Sequence, residues 1–242
     1  MKSSEVIPHS RNDGRTLVIM AKAPRTGMVK TRLAQGLSPE NATELYRCLL
    51  SDTISLARSM RDVKVAIMCP ASDVEELAPF AADAATVVAQ QGEGLAAALI
   101  SVFAHFAAPG GHSVIAFNSD SPHLPISVLA SAFEALTTHD LVIGPTHDGG
   151  YYLVGANAAH PALFDSDGMG TSSALDALVA RARELKLSTG FTDPFYDIDL
   201  QGDLNRLAAE LSLSPERAPR TAAWLKQWQG VLPQLQSAAG DL

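Results

Sequence analysis

The sequence predicts an α/β domain: a mainly parallel sheet with helices on both faces. Short apolar runs rich in β-branched residues recur along the chain, and most are followed by apolar residues at helical spacing. That alternation is the order of βαβ units. The runs are continuously apolar rather than alternating, as expected of strands buried on both faces. A chain of 242 residues, 47% of them hydrophobic, suffices for one sizeable core.

The first strand is "TLVIM" (16–20). "SPENATELYRCLLSDTISLARSM" (38–60) reads as a helix, with Ser38 as its N-cap and Pro39 in the first turn. "VKVAIMC" (63–69) and "TVVA" (86–89) are the next strands, and "GLAAALISVFAHF" (94–106) the next helix. "SVIAFN" (113–118) is a strand, followed by a helix over 125–136 that opens on Pro125. Strands 140–145 and 151–156 are separated by five residues. So short a connection predicts a hairpin-like reversal, and hence a mixed sheet. A helix over 172–187, an extended stretch over 191–200 and a helix over 202–211 follow.

Residues 16–211 are therefore expected to form the domain, preceded by a frayed, disordered tail (1–15) and followed by a helical extension (212–242). Trp224, Leu225 and Trp228 could form one face of a helix there. That face is expected to pack on its own core or on a partner, which leaves a homodimer open.

The balance of 18 Lys+Arg against 26 Asp+Glu, a formal net charge of -8 without a basic block, argues against nucleic acid as the partner. No apolar run is long enough to span a membrane and no leader is visible, so the chain reads as cytoplasmic, with no membrane partner. Cys48 and Cys69 read as reduced thiols.

The segment "MAKAPRTGMVKTRL" leaves the first strand at its carboxyl end, where parallel sheets bind ligands. It is not a P-loop, since no Gly directly precedes Lys30, and G-x-G-x-x-G is absent. The remaining pattern is P-x-x-G-x-x-K-T-R-L, in which Pro24 and Gly27 shape a turn and Lys30 and Arg32 can aim at one anion. The bland alternative is a solvated basic loop.

Phosphate chemistry also needs a cation held on carboxylates. Asp120, just past the strand "SVIAFN", is one candidate ligand. In "YDIDLQGDL", Asp197 and Asp199 are expected to diverge, so that only Asp199 joins Asp120; Asp203 reads as a first-turn acid of the following helix. Asp148-Gly149-Gly150 is either a plain hairpin turn or a backbone that approaches a ligand closely. His123 and His147 adjoin these acids, but lone histidines are more often surface or supporting residues.

Together "MAKAPRTGMVKTRL", "NSDSPHL", "GPTHDGGYYLVG" and "YDIDLQGDL" resemble, in order and spacing over about residues 16–211, the DUF2064 family, also called radical-SAM/selenodomain-associated transferase 1. That family belongs to the GT-A nucleotide-diphospho-sugar transferase superfamily, with molybdenum-cofactor and phospholactate guanylyltransferases as relatives. The resemblance implies a nucleotide held by the first loop (Ala21, Ala23, Pro24, Gly27, Lys30) and by Gly92, Gly94 and Leu95 of "QGEGLAAAL". It also implies Mg²⁺ (or Mn²⁺) on Asp120 with Asp199, and an acceptor near Asp148, Gly149, Gly150 and Tyr151. Two departures stand out: Ala96–Ala98 occupy the place of a family Arg, and Asn118 that of a frequent Gly.

The expected reaction is nucleotidyl transfer from a nucleoside triphosphate to a small phosphorylated or phosphonate acceptor, with Lys30 and Arg32 as the catalytic cations and pyrophosphate released. The alternatives are glycosyl transfer from a nucleotide-sugar on the same fold, and nucleotide binding without turnover. Glycosyl transfer normally asks for a D-x-D pair, and this chain has Asn118-Ser119-Asp120.

Overall fold

Strand β1 (Arg15–Met20) lies in the middle of the sheet, with β2 (Lys64–Cys69) and β4 (Ser113–Asn118) parallel on its two sides. Its residues alternate between two apolar layers. Leu17 and Ile19 pack with Leu50, Leu77 and Phe133, whereas Val18 packs with Phe103, Val102 and Leu178. Period two along a strand sends successive side chains to opposite faces, so both faces demand an apolar residue. That demand is met by α1 (Pro39–Arg58), α2 (Val74–Ala81) and α4 (Ile126–Ala135) on one face and by α3 (Gly94–Phe106) and α5 (Ala174–Glu184) on the other. The computed structural model describes residues 14–82, 85–107, 112–164 and 173–228.

The seven-stranded sheet runs β3-β2-β1-β4-β6-β5-β7, with β3 at Thr86–Ala89, β5 at Leu141–Pro145, β6 at Tyr151–Ala156 and β7 at Thr189–Phe191. The expected reversal is present: β6 pairs antiparallel with both β4 and β5, and every other pairing is parallel. The mixed sheet and its helical layers agree with the fold class expected from the sequence. Edge strand β7 was not foreseen. It has three residues, and its identity comes from pairing with β5 rather than from any pattern of its own. Helix α2, only eight residues and containing Pro79, was also missed.

Ser38 caps α1 as expected, accepting from the Asn41 N–H at 3.3 Å, with Pro39 in the first turn. Helix α1 is apolar on two sides. Tyr46, Leu50 and Ile54 meet the sheet, while Leu45 and Leu49 meet α6 (Gln201–Leu213) and α7 (Pro219–Trp228). Trp224 and Leu225 are buried in this second cluster. Asp52, fully buried on α1, fastens α7 by accepting from the Thr221 N–H at 2.8 Å, the Thr221 hydroxyl at 2.9 Å and the Arg220 N–H at 3.3 Å. An acid of one helix thus satisfies the free donors at the start of another.

Of the expected tail, residues 1–13 lie outside the described residues, and Arg15 already belongs to β1. Residue 172, the expected start of a helix, and residues 229–242 also lie outside them. Cys69 is buried and Cys48 half-buried, and both are free. No described helix is long and apolar enough to cross a membrane.

Candidate active site

Strands β2 and β3 extend from β1 in one direction and β4 and its successors in the other, so the strand order switches between β1 and β4. Open sheets leave a crevice outside the carboxyl ends of strands at such a point. Here that crevice is a cleft of about 1070 Å³. It is lined by Ala21 and Lys22 beyond β1, by Asn118 at the end of β4, by Ser119 and Asp120 just beyond it, and by Lys30, Arg32 and Asp199.

The Lys30 ammonium sits 2.8 Å from Asp120 Oδ2 and 3.2 Å from Asp199 Oδ1, and an Arg32 guanidinium nitrogen lies 3.2 Å from Asp199 Oδ2. Groups from positions 30, 120 and 199 therefore meet in one place. Burial pushes the Lys30 ammonium toward its neutral form. The charges of Asp120 and Asp199 outweigh that, and its pKa lies above the ordinary lysine value. Lys30 is also held in the left-handed region, at φ 51° and ψ 36°, where a side chain is disfavoured. Strain of about 1–3 kcal/mol survives at such a position only where the surroundings over-determine it. Here the short 3-10 turn Thr31–Gln35 and two ion pairs hold it.

The expectation that Asp197 and Asp199 diverge is corrected. Tyr196 and Ile198 are buried in the α1–α6 cluster, and both aspartates lie on the other side of the chain. Residues two apart in extended backbone share a face, so a carboxylate at each position faces the same way. Asp197 accepts from the Asn118 side-chain amide at 2.5 Å and from the Ser121 hydroxyl at 3.4 Å. Burial first, and then the charge of Asp120, push its carboxyl up to about 7. Asn118 thus bridges the acids: its amide oxygen also accepts from the Asp120 N–H at 3.3 Å. Asp203 behaves as read, accepting from the Asp199 and Leu200 N–H groups at 3.1 and 2.7 Å.

Of the other expected nucleotide-loop residues, Ala21, Gly92, Gly94 and Leu95 line the cleft, and Ala23, Pro24 and Gly27 do not. Those three belong to a loop drawn toward α2. Asp73 accepts from the Ala23 N–H and pairs with Arg25, both at 2.8 Å. Gly92 has φ 78°, a conformation that suits glycine.

Asp148, Gly149, Gly150 and Tyr151 do not line this cleft. Asp148 and the glycines form the turn between β5 and β6. Asp148 accepts from the Thr146 hydroxyl at 2.5 Å and the Gly150 N–H at 3.4 Å, Thr146 N–H donates to Gly150 O at 2.9 Å, and Gly149 sits at φ 89°. The Thr146 hydrogen bond, foremost, holds Asp148 below the ordinary carboxylate range.

His147 is exposed, and His123 is fully buried between Phe195 and Tyr196, both ring centroids 4.8 Å away. Burial pushes His123 down to about 3, so it is a neutral packing residue.

Two residues of α1 that support the cleft wall escaped the sequence reading. Tyr46 hides in the apolar pattern of α1, yet its hydroxyl bonds the Lys22 backbone N–H and C=O at 3.2 Å each and Ser119 Oγ at 3.1 Å. Thr53, seven residues further along the same helix, donates to Ser119 O at 3.2 Å. Lys22, which lines the cleft, has no spacing that sets it apart from the other cations of its loop. The double engagement of Ser119 by α1 has no signal in the sequence.

None of the curated proteins compared matches the sequence. The family DUF2064, described as "Uncharacterized protein conserved in bacteria", matches residues 53–171, which include Asp120 and the Asp148 turn. Among solved structures, a "putative nucleotide-diphospho-sugar transferase" from Desulfovibrio desulfuricans G20 is similar at 26% identity and TM-score 0.82, over 91% of this chain and 97% of that one. A 4-diphosphocytidyl-2C-methyl-D-erythritol synthase from Anaerococcus prevotii DSM 20548 is similar in fold at 12% identity and TM-score 0.57, over 83% and 97%. A nucleotidyl transferase from a Methanothermobacter is similar in fold at 16% identity and TM-score 0.55, over 84% and 99%. The chain is thus similar to DUF2064 over residues 53–171 and is built on the fold of nucleotidyl and nucleotide-diphospho-sugar transferases.

Proposed function

We propose that the protein is a divalent-metal-dependent nucleotidyltransferase. It would join a nucleoside monophosphate from a triphosphate to a small phosphorylated or phosphonate acceptor and release pyrophosphate. The observation that carries this is the convergence of Lys30 and Arg32 with Asp120 and Asp199 in the switch-point cleft. An acceptor oxygen forms a bond to the α-phosphorus, and the bond from that phosphorus to the bridging oxygen breaks, its electron pair leaving with pyrophosphate. No protein nucleophile is needed. Lys30 and Arg32 offset the mutual repulsion of the anions and stabilise the charge of the transition state.

The donor set fits Mg²⁺ or Mn²⁺. Asp120 and Asp199 already present one oxygen each to a single cation, the Lys30 ammonium. No group of three candidate ligands occurs among the described residues. Two carboxylates, completed by phosphate oxygens and water, are the usual protein share of a Mg²⁺ site. When bound, the ion neutralises polyphosphate charge.

Asn118 favours nucleotidyl over glycosyl transfer. The position that would supply a second carboxylate on the metal strand instead carries an amide engaged with Asp197. Glycosyl transfer is the second reading, supported by the Desulfovibrio neighbour, with Asp148, held ionised, as its candidate base.

A screen of nucleoside triphosphates with Mg²⁺ and phosphorylated acceptors should release pyrophosphate. Release of a nucleoside diphosphate from a nucleotide-sugar instead would establish the glycosyl reading. Thermal stabilisation by nucleotide with neither product would mean binding without turnover. In a Mn²⁺ titration with nucleotide present, Asp120→Ala should bind the metal more than about tenfold less tightly, since even outer partners of a metal site are worth about 10–100-fold. Equal affinity would reject Asp120 as a ligand.

A further inference from the structure

Most cations of the loop leaving β1 are already balanced by acids. Arg25 pairs with Asp73 at 2.8 Å and Glu76 at 2.7 Å, Lys30 with Asp120 and Asp199, and Arg32 with Asp199. Lys22 differs. Its exposed side chain lines the same cleft as Lys30 and Asp120, and among the described residues its ammonium has no ion pair or hydrogen bond. The remaining acid on the cleft wall is Glu93, so the formal charges of the lining side chains cancel. Attraction for an anion must then come from local placement rather than from net charge.

That placement is built. The Lys22 backbone is fixed at both its N–H and its C=O by the Tyr46 hydroxyl, at 3.2 Å each. The same hydroxyl lies 3.1 Å from Ser119 Oγ, which donates to Asp120 Oδ1 at 3.3 Å. A phenol has one proton and two lone pairs. With Ser119 donating to Asp120, the Tyr46 proton is shared between Ser119 Oγ and Lys22 O, while its oxygen accepts from Lys22 N. Burial foremost pushes the phenol up to about 12, so that proton stays in place at neutral pH. The stem of Lys22 is thereby held at a set distance from Asp120, while its ammonium remains free to swing.

We infer that Lys22 binds the phosphate chain of a di- or triphosphate ligand in this cleft, making the contact that Lys30 and Arg32, engaged by carboxylates, leave open. The inference rests on the polyphosphate reading of the cleft. Inorganic tripolyphosphate with Mg²⁺, titrated calorimetrically, is a probe free of base and acceptor. Wild type binds it. Lys22→Met keeps the backbone bonds to Tyr46 and weakens binding about tenfold or more, the scale of one hydrogen bond to a charged group. Lys22→Arg restores most of the affinity, and the difference between wild type and Lys22→Met shrinks as salt is raised. An unchanged dissociation constant for Lys22→Met beside a binding wild type overturns the role of Lys22 alone. A wild type that does not bind tripolyphosphate overturns the polyphosphate reading with it.

Discussion

Lys30→Met should lower turnover by about 10²–10³-fold, the scale of one preorganised charge-stabilising donor. The substitution keeps the stem and removes the cation that lies 2.8 Å from Asp120 and 3.2 Å from Asp199. Asp120 then loses the cation beside it while Asp199 keeps Arg32, so the variant should also unfold at a lower temperature than wild type. Added Mn²⁺ should recover part of that loss, because a divalent ion restores what the ammonium supplied. The two readouts separate the roles. Unchanged turnover would reject Lys30 as a catalytic cation, and a melting temperature insensitive to both mutation and metal would reject the shared carboxylate site.

The largest effect on stability is expected at Asp52. In Asp52→Ala, the Thr221 N–H and hydroxyl, at a residue with no exposure, lose their acceptor. Leaving such donors buried and unsatisfied should cost about 2–4 kcal/mol. In urea the midpoint should fall, with Asp52→Asn intermediate because it keeps one acceptor oxygen. The readout is local as well as global. Both tryptophans of the chain, Trp224 and Trp228, lie on α7, their rings stacked 5.3 Å apart. Fluorescence should therefore change before far-ultraviolet dichroism if α7 releases first. Coincident transitions at the wild-type midpoint would mean that Asp52 does not secure the helix.

The strands that could be read directly are those that cross the middle of the sheet. β1, β2 and β4 are buried on both faces, so their apolar residues are consecutive and need no partner to be recognised. Strand β7 is read only through its neighbour β5, and α2 is too short to display a period. Lys30 and Asp120 could be placed near the cleft because the segments that carry them leave strands whose carboxyl ends mark the ligand side of a parallel sheet, whereas Asp199 lies inside an extended stretch that has no such marker. Asp197 was misjudged for a simple reason. The two aspartates share a face by period two, and only the buried Tyr196 and Ile198 show which face that is.

By itself, the order of residues determined the βα alternation, the reversal at Asp148-Gly149-Gly150, the cap at Ser38 and the set of chemically able side chains beyond β1 and β4. These depend on local propensity and on periods of two and 3.6, which act within a few residues. The tertiary structure alone decided which cations are balanced by acids and which is left facing the cleft. It also decided that a helical tyrosine anchors Lys22 to the turn bearing Asp120, and that a buried aspartate of α1 caps α7. Each of these is a hydrogen bond or ion pair between groups 24 to 169 positions apart. Such contacts form only once burial has packed the helices onto the sheet, and no local pattern along the chain encodes them.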